Sequence, residues 1–176
     1  SSPGFDIESG LLFEPKLRWD NIDIPNKPSE NDVNEAIEHI KYILSDFQFE
    51  HESSKTNVFA LVLQHPLKLL IKDNSPMYIV DATTPGTGKG KLYNVATYPF
   101  YGEKVPTSDM TKGEDFKKEL DTFLLKGVTH IMYDNVRDKI DSSVLAQALT
   151  TGRHSGRILG GHTYFEVPVR CLIACT

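Results

Sequence analysis

Met77-Tyr78-Ile79-Val80 is an apolar run of four, preceded by Pro76 and followed by the Thr/Pro/Gly cluster Thr83-Thr84-Pro85-Gly86-Thr87-Gly88-Lys89-Gly90. Four residues are too few for a buried helix, so the run reads as a buried central strand, with a loop and then a helix after it. Strands separated by helices imply a parallel sheet covered on its faces. The alternation continues downstream. Phe116, Leu120, Phe123 and Leu124 share one helical face, and Gly127 sits where a left-handed cap would end that helix. Thr129-His130-Ile131-Met132-Tyr133 reads as the next strand. Ser142 can cap a helix carrying Val144, Leu145, Ala148 and Leu149, which ends near Gly152. Arg157-Ile158-Leu159 and Thr163 to Val167 then flank Gly160-Gly161, a hairpin signal, and Arg170 to Thr176 forms a last buried strand. The predicted fold class is three-layer α/β with a parallel central sheet.

Two helices are predicted upstream. From Ser29 onward, Val33, Ala36, Ile37, Ile40, Ile43, Leu44 and Phe47 recur at three- and four-residue spacing and line one helical face. A second helix starts near Ser53 or Ser54 and runs through Val58, Phe59, Leu61 and Val62 to Pro66, whose ring should end or kink it; Leu67 to Ile71 is a natural extension. Residues 1–30, rich in Ser, Pro, Gly, Asp and Asn, show no sustained period beyond the island Leu11-Leu12-Phe13 and read as an extended or partly disordered lead-in. Residues 31–176 then form one domain, which suits a chain of 176 residues.

The bulk properties narrow the setting. Cys171 and Cys175 are four apart in an apolar strand, which separates their Cα atoms by about 13 Å, beyond disulfide reach. They read as buried thiols of a reducing compartment. The sequence has neither a membrane-length apolar stretch nor the pattern of a signal peptide, so the expected location is the cytoplasm, with no membrane partner. A net charge of -5 confines any nucleic-acid contact to a local basic strip.

The chemistry is concentrated in the loop after Val80. Residues 83–90 nearly match the phosphate-loop pattern G-x-x-x-x-G-K-[ST]. Phosphate binding needs inward-pointing backbone N–H groups, glycines that allow close approach, a helix N-terminus and a lysine for the terminal phosphates. Thr84, Pro85, Gly86, Thr87, Gly88, Lys89, Gly90 and Lys91 are the candidate nucleotide-binding residues, with Lys89 central. Two positions depart from the pattern: Thr83 replaces the first glycine, and Gly90 replaces the hydroxyl residue that usually contacts Mg²⁺, leaving water to fill that place.

Forty-five residues after Lys89, the run Ile131-Met132-Tyr133 ends in Asp134-Asn135. A carboxylate at the end of a strand beside a phosphate loop is where a magnesium-bound water is held, so Asp134 is the candidate metal residue, acting through water. Asn135 stands where a glutamate would prepare the attacking water; its amide can orient a water but cannot take a proton. A third group, Arg153, His154, Arg157, His162 and Arg170, is locally basic and contains one acid, Glu166. It reads either as a solvated hairpin or as one that touches nucleic acid, with Arg153 or Arg157 alternatively reaching a neighbouring subunit's ATP. The remaining histidines have no metal-ligand spacing, and no G-x-S-x-G elbow or Cys/His pair suggests covalent catalysis.

From about Asp46 to Thr176 the chain resembles the ATPase domain of phage- and plasmid-type replication proteins, the primase-helicase group within the AAA+ superfamily. The resemblance is carried by Asp81 to Gly90, which looks like a Walker A loop, by Ile131 to Asn135, similar to Walker B, and by the stretch from Leu145 through Gly160-Gly161 to Ile173-Ala174-Cys175-Thr176. It implies a P-loop NTPase fold with an N-terminal helical extension, ATP and Mg²⁺ as cofactors, a 156–167 hairpin facing DNA, and a homo-oligomer. It also places a sensor asparagine and a helical lid after Thr176, so on this reading the chain is a truncated piece. The expected function is the ATP-binding domain of a helicase-like DNA replication or remodelling ATPase of a mobile element. The alternatives are a nucleotide-responsive binding module with little hydrolysis and a small-molecule kinase using the same loop.

Overall fold

In the computed structural model the described residues are 4–7, 11–13, 25–70, 74–84, 86–102, 104–158 and 163–176. The chain divides into two units, residues 1–48 and 49–176. In the first unit, strand β1 (Gly4–Asp6) pairs antiparallel with β2 (Leu11–Phe13), so the apolar island at 11–13 is one arm of a small β-pair. Helix α1 (Glu30–Ile43) begins at a capping box: the Ser29 hydroxyl accepts from the Asp32 backbone N–H, and the Asp32 carboxylate accepts in return from the Ser29 N–H. These bonds satisfy two of the donors that a helix start leaves open. The helix ends at Ile43, one turn before Phe47, where the apolar spacing had continued it.

The second unit is built on a four-stranded parallel sheet. Helix α2 (Glu52–Leu70) precedes the first strand, β3 (Tyr78–Ile79), which leads into α3 (Lys89–Tyr101). Strand β4 (Thr107–Ser108), helix α4 (Gly113–Leu125), strand β5 (His130–Tyr133) and helix α5 (Ser143–Thr151) follow. A hairpin of β6 (Arg153–Arg157) and β7 (Tyr164–Pro168) comes before β8 (Leu172–Cys175). The spatial order is β3-β8-β5-β4, so the last strand lies between the first and third. From β3 the chain crosses to the far edge and then returns strand by strand. Because parallel crossovers are right-handed, the outgoing helix α3 falls on one face and the returning helices α4 and α5 on the other.

Packing agrees with this. Ile131, Tyr133, Cys171, Ile173 and Cys175 point to one face and form a continuous core with Phe116, Leu120 and Leu124 of α4 and with Leu145 and Ala148 of α5. Met132, Leu172 and Ala174 are buried on the opposite face. There the α3 residue Tyr101 meets His130 of β5, with ring centroids 4.2 Å apart, and α2 packs along α3. Burial pushes the Cys171 thiol up to about 11 and also raises that of Cys175; both cysteines are free. Thiolates, the reactive form, are therefore suppressed.

Three local expectations change. The run 77–80, expected as a buried central strand, forms the edge strand β3, with Ile79 exposed. Pro66 does not end α2, which continues to Leu70 along the extension expected over 67–71, and His65, one residue before the proline, stacks on Phe100 of α3. Strand β4 had not been anticipated, because Thr107-Ser108 is short and polar. The hairpin arm starts at Arg153 rather than Arg157, and its inward residues are His154 and Gly156, which no hydrophobicity pattern marks. The Gly160-Gly161 turn lies outside the described residues. The hairpin is closed at its base, where the Val169 N–H donates to the Gly152 carbonyl at 2.8 Å.

Candidate functional site

The candidate phosphate-loop residues occupy the turn from β3 to α3. Gly86 has φ +81° and Gly88 has φ +92°, conformations that L side chains rarely adopt, and Gly88 caps a helix whose first residue is Lys89. Thr83 does not share this requirement: it does not adopt a positive φ, so the missing first glycine costs the backbone nothing here. The Thr87 hydroxyl donates to the Thr84 carbonyl at 3.2 Å and tightens the turn. Leu92 N–H makes the first helical bond, to Gly88 O, so the N–H groups of Lys89, Gly90 and Lys91 have no acceptor within the helix. Lys89 is half-buried, and among the described residues its ammonium has no carboxylate partner. Lys91 is exposed, and a Cβ added at Gly90 would meet no atom within 4 Å. Pro85 lies outside the described residues.

Asp134 stands at the same rim. Ile79, Cys175 and Tyr133 are in register across β3, β8 and β5, so the chain leaves the three strands at one level. Two strand spacings put the ends of β3 and β5 roughly 10 Å apart. Thr176, which follows β8, bridges the gap. Its hydroxyl donates to Asp134 Oδ1 at 2.5 Å and accepts from the Asn135 N–H at 3.2 Å. Its backbone N–H donates to the Tyr133 carbonyl and its own carbonyl accepts from Val136. Thr176 is the residue that sequence reasoning missed. The available signal was a polar residue ending an apolar strand run, the same position that Asp134 holds after Tyr133.

Asn135 has φ +59°, the one positive φ outside glycine among the described residues. Asparagine tolerates that conformation better than glutamate does. Its side-chain oxygen accepts from Arg137 Nε at 3.4 Å. Beyond Asp134 the rim opens into a cleft of about 400 Å³ between the β4–α4 and β5–α5 loops, lined by Asp109, Lys112, Phe116, Asp134, Arg137 and Ile140, among others. Lys112 is paired with Asp138 at 2.6 Å, which holds the Asp138 carboxyl below its usual range.

The basic group divides. Arg153, Arg157 and Arg170 are exposed, whereas His154 is buried and sits 2.5 Å from Asp121 of α4, so it belongs to the anchor of the hairpin and not to a basic surface. Arg153 is paired with Glu166 at 2.5 Å, and Arg157 lies over the ring of Tyr164, 4.7 Å from its centroid. His162 lies outside the described residues.

Among the described residues no group of three or more His, Cys, Asp or Glu is placed to hold a metal ion, and no helix is long and apolar enough to cross a membrane. Mg²⁺ needs less than such a cage, since one or two carboxylates suffice when phosphates and water supply the other ligands. Asp134, exposed and with Oδ2 unengaged, fits that donor set. The chain matches no protein-family model, no curated protein and no solved structure.

Proposed function

We propose that this protein binds ATP with Mg²⁺ and is the nucleotide-binding domain of a helicase-like DNA replication or remodelling ATPase of mobile-element type, with a P-loop NTPase fold. The observation that carries the reading is that the loop bearing Gly86, Gly88 and Lys89 follows β3, whose end is in register with the end of β5, where Asp134 follows. Ligands of open α/β sheets bind at the carboxyl ends of the strands, where the strand order reverses, and here both groups flank that point. The free N–H groups of residues 89–91 would receive phosphate oxygens, Lys89 would reach the β- and γ-phosphates, and Asp134 would hold a magnesium-bound water. When bound, Mg²⁺ neutralises charge on the phosphates. Thr176 keeps the Asp134 carboxylate oriented toward the rim.

The remaining parts of the proposal rest on the resemblance. The hairpin bearing Arg157 and Tyr164 would face DNA, and homo-oligomerisation would bring Arg153 or Arg157 to a neighbour's nucleotide. Either arginine would exchange a partner on reaching a neighbour's nucleotide, Arg153 its pair with Glu166 and Arg157 its contacts with Tyr164. A second reading, nucleotide binding with little hydrolysis, is favoured by one observation: Asn135 supplies no base, and its amide is engaged by Arg137.

Calorimetric titration with a non-hydrolysable ATP analogue and Mg²⁺ tests the phosphate site. Micromolar binding that falls at least a hundredfold in Lys89→Ala, with an unchanged circular-dichroism spectrum, is the expected result; equal affinity in the variant would sink the proposal.

A further inference from the structure

In P-loop ATPases a carboxylate commonly takes the proton of the attacking water, and position 135 does not provide one. Asparagine has no proton-accepting form at neutral pH, and the left-handed backbone there disfavours the glutamate that usually would. A carboxylate is nevertheless present one strand further along. Strand β4 pairs in parallel with β5, with Ser108 opposite Tyr133, and the Asp134 N–H donates to the Ser108 carbonyl at 3.1 Å. Asp109 therefore follows β4 as Asp134 follows β5, about 5 Å away between backbones.

Both carboxylates line the same cleft of about 400 Å³. Their roles differ by environment. Asp134 is tied to Thr176, as a residue holding a fixed water should be. Asp109 is exposed and, among the described residues, has no hydrogen bond or ion pair. It is a carboxylate with both oxygens free, at the side of Asp134 facing away from the phosphate loop. On the nucleotide-site reading, a water held by Asp134 on that side would lie within reach of Asp109.

We propose that Asp109 is the general base of ATP hydrolysis in this protein, taking the function that Asn135 cannot. The inference rests on the nucleotide-site reading above. In the step, the water oxygen bonds to the γ-phosphorus as the bond from that phosphorus to the β,γ-bridging oxygen breaks. The electron pair leaves with ADP, one water proton passes to an Asp109 carboxylate oxygen, and inorganic phosphate is released.

The test uses the 176-residue chain with Mg²⁺ and single-stranded DNA, measuring analogue affinity and single-turnover phosphate release in the wild type, Asp109→Asn and Asp109→Glu. The expected result is unchanged affinity in both variants, release slowed roughly a hundredfold or more in Asp109→Asn, and partial recovery in Asp109→Glu. Release at the wild-type rate in Asp109→Asn would overturn the assignment, and so would loss of nucleotide affinity in that variant. A wild-type chain that binds the analogue yet releases no phosphate would also overturn it while leaving the nucleotide site standing. Failure of the wild type to bind would remove the nucleotide-site reading and this inference together.

Discussion

His65 is a basic group held neutral by its surroundings. Its ring is buried between α2 and α3, stacked on Phe100, with Nδ1 2.8 Å from the Tyr101 hydroxyl and Nε2 without a partner among the described residues. Burial, and then the nearby His130, lower its pKa to about 4. The unfolded chain binds a proton near pH 6.5 that the folded chain refuses until about pH 4. The stabilisation is thus fully present above pH 6.5 and is lost as the pH falls through that window. Unfolding free energies from urea titrations should drop between pH 7 and pH 4.5 by an amount on the order of 2 kcal/mol, and His65→Phe should flatten this dependence. An identical slope in the variant would mean that other groups cause the acid sensitivity. Residues at this scale were unequally legible from sequence. Lys89 and Asp134 stood in patterns from which a nucleotide site was expected. Thr176 and Asp109 acquire meaning only from strands adjacent in space, and Asp109 follows a strand of two polar residues that carries no periodic signal.

Among the elements, the β6–β7 hairpin shows best how polar residues can take the place of a core. Its exposed and buried residues alternate, with His154 and Gly156 inward against α4. A Cβ at Gly156 would lie 2.7 Å from the tip of the Phe165 ring and 2.8 Å from both Asp121 oxygens. Phe165 can swing aside, but Asp121 is short and held by His154. Gly156→Ala should therefore displace the buried His–Asp contact and cost about 1–3 kcal/mol. Hydrogen exchange should accelerate in the hairpin amides while β5 and β8 keep their protection; exchange unchanged in the hairpin would show that the site relaxes freely. The sheet strands β5 and β8 and helices α1, α4 and α5 could be read in advance because apolar periodicity sets them. The hairpin arm could not, since its inward residues are a histidine and a glycine whose burial depends on a carboxylate 33 residues earlier.

At the scale of the molecule, both core faces and the whole rim belong to residues 49–176. A chain starting at residue 49 should accordingly unfold in urea as a single cooperative transition and keep its helical circular dichroism. A gradual, sloping loss of signal would show that the first 48 residues are needed for folding. The closure at Gly152 and Val169 has a further bearing on this unit. The chain leaves the domain and re-enters it at neighbouring points, so beyond the inward residues His154 and Gly156 the hairpin is free to change in length and sequence without shifting β8 by a single residue. The rim and the arm can thus diversify on separate schedules, one bound by the fixed register of four strands and the other open to insertion, deletion and exchange.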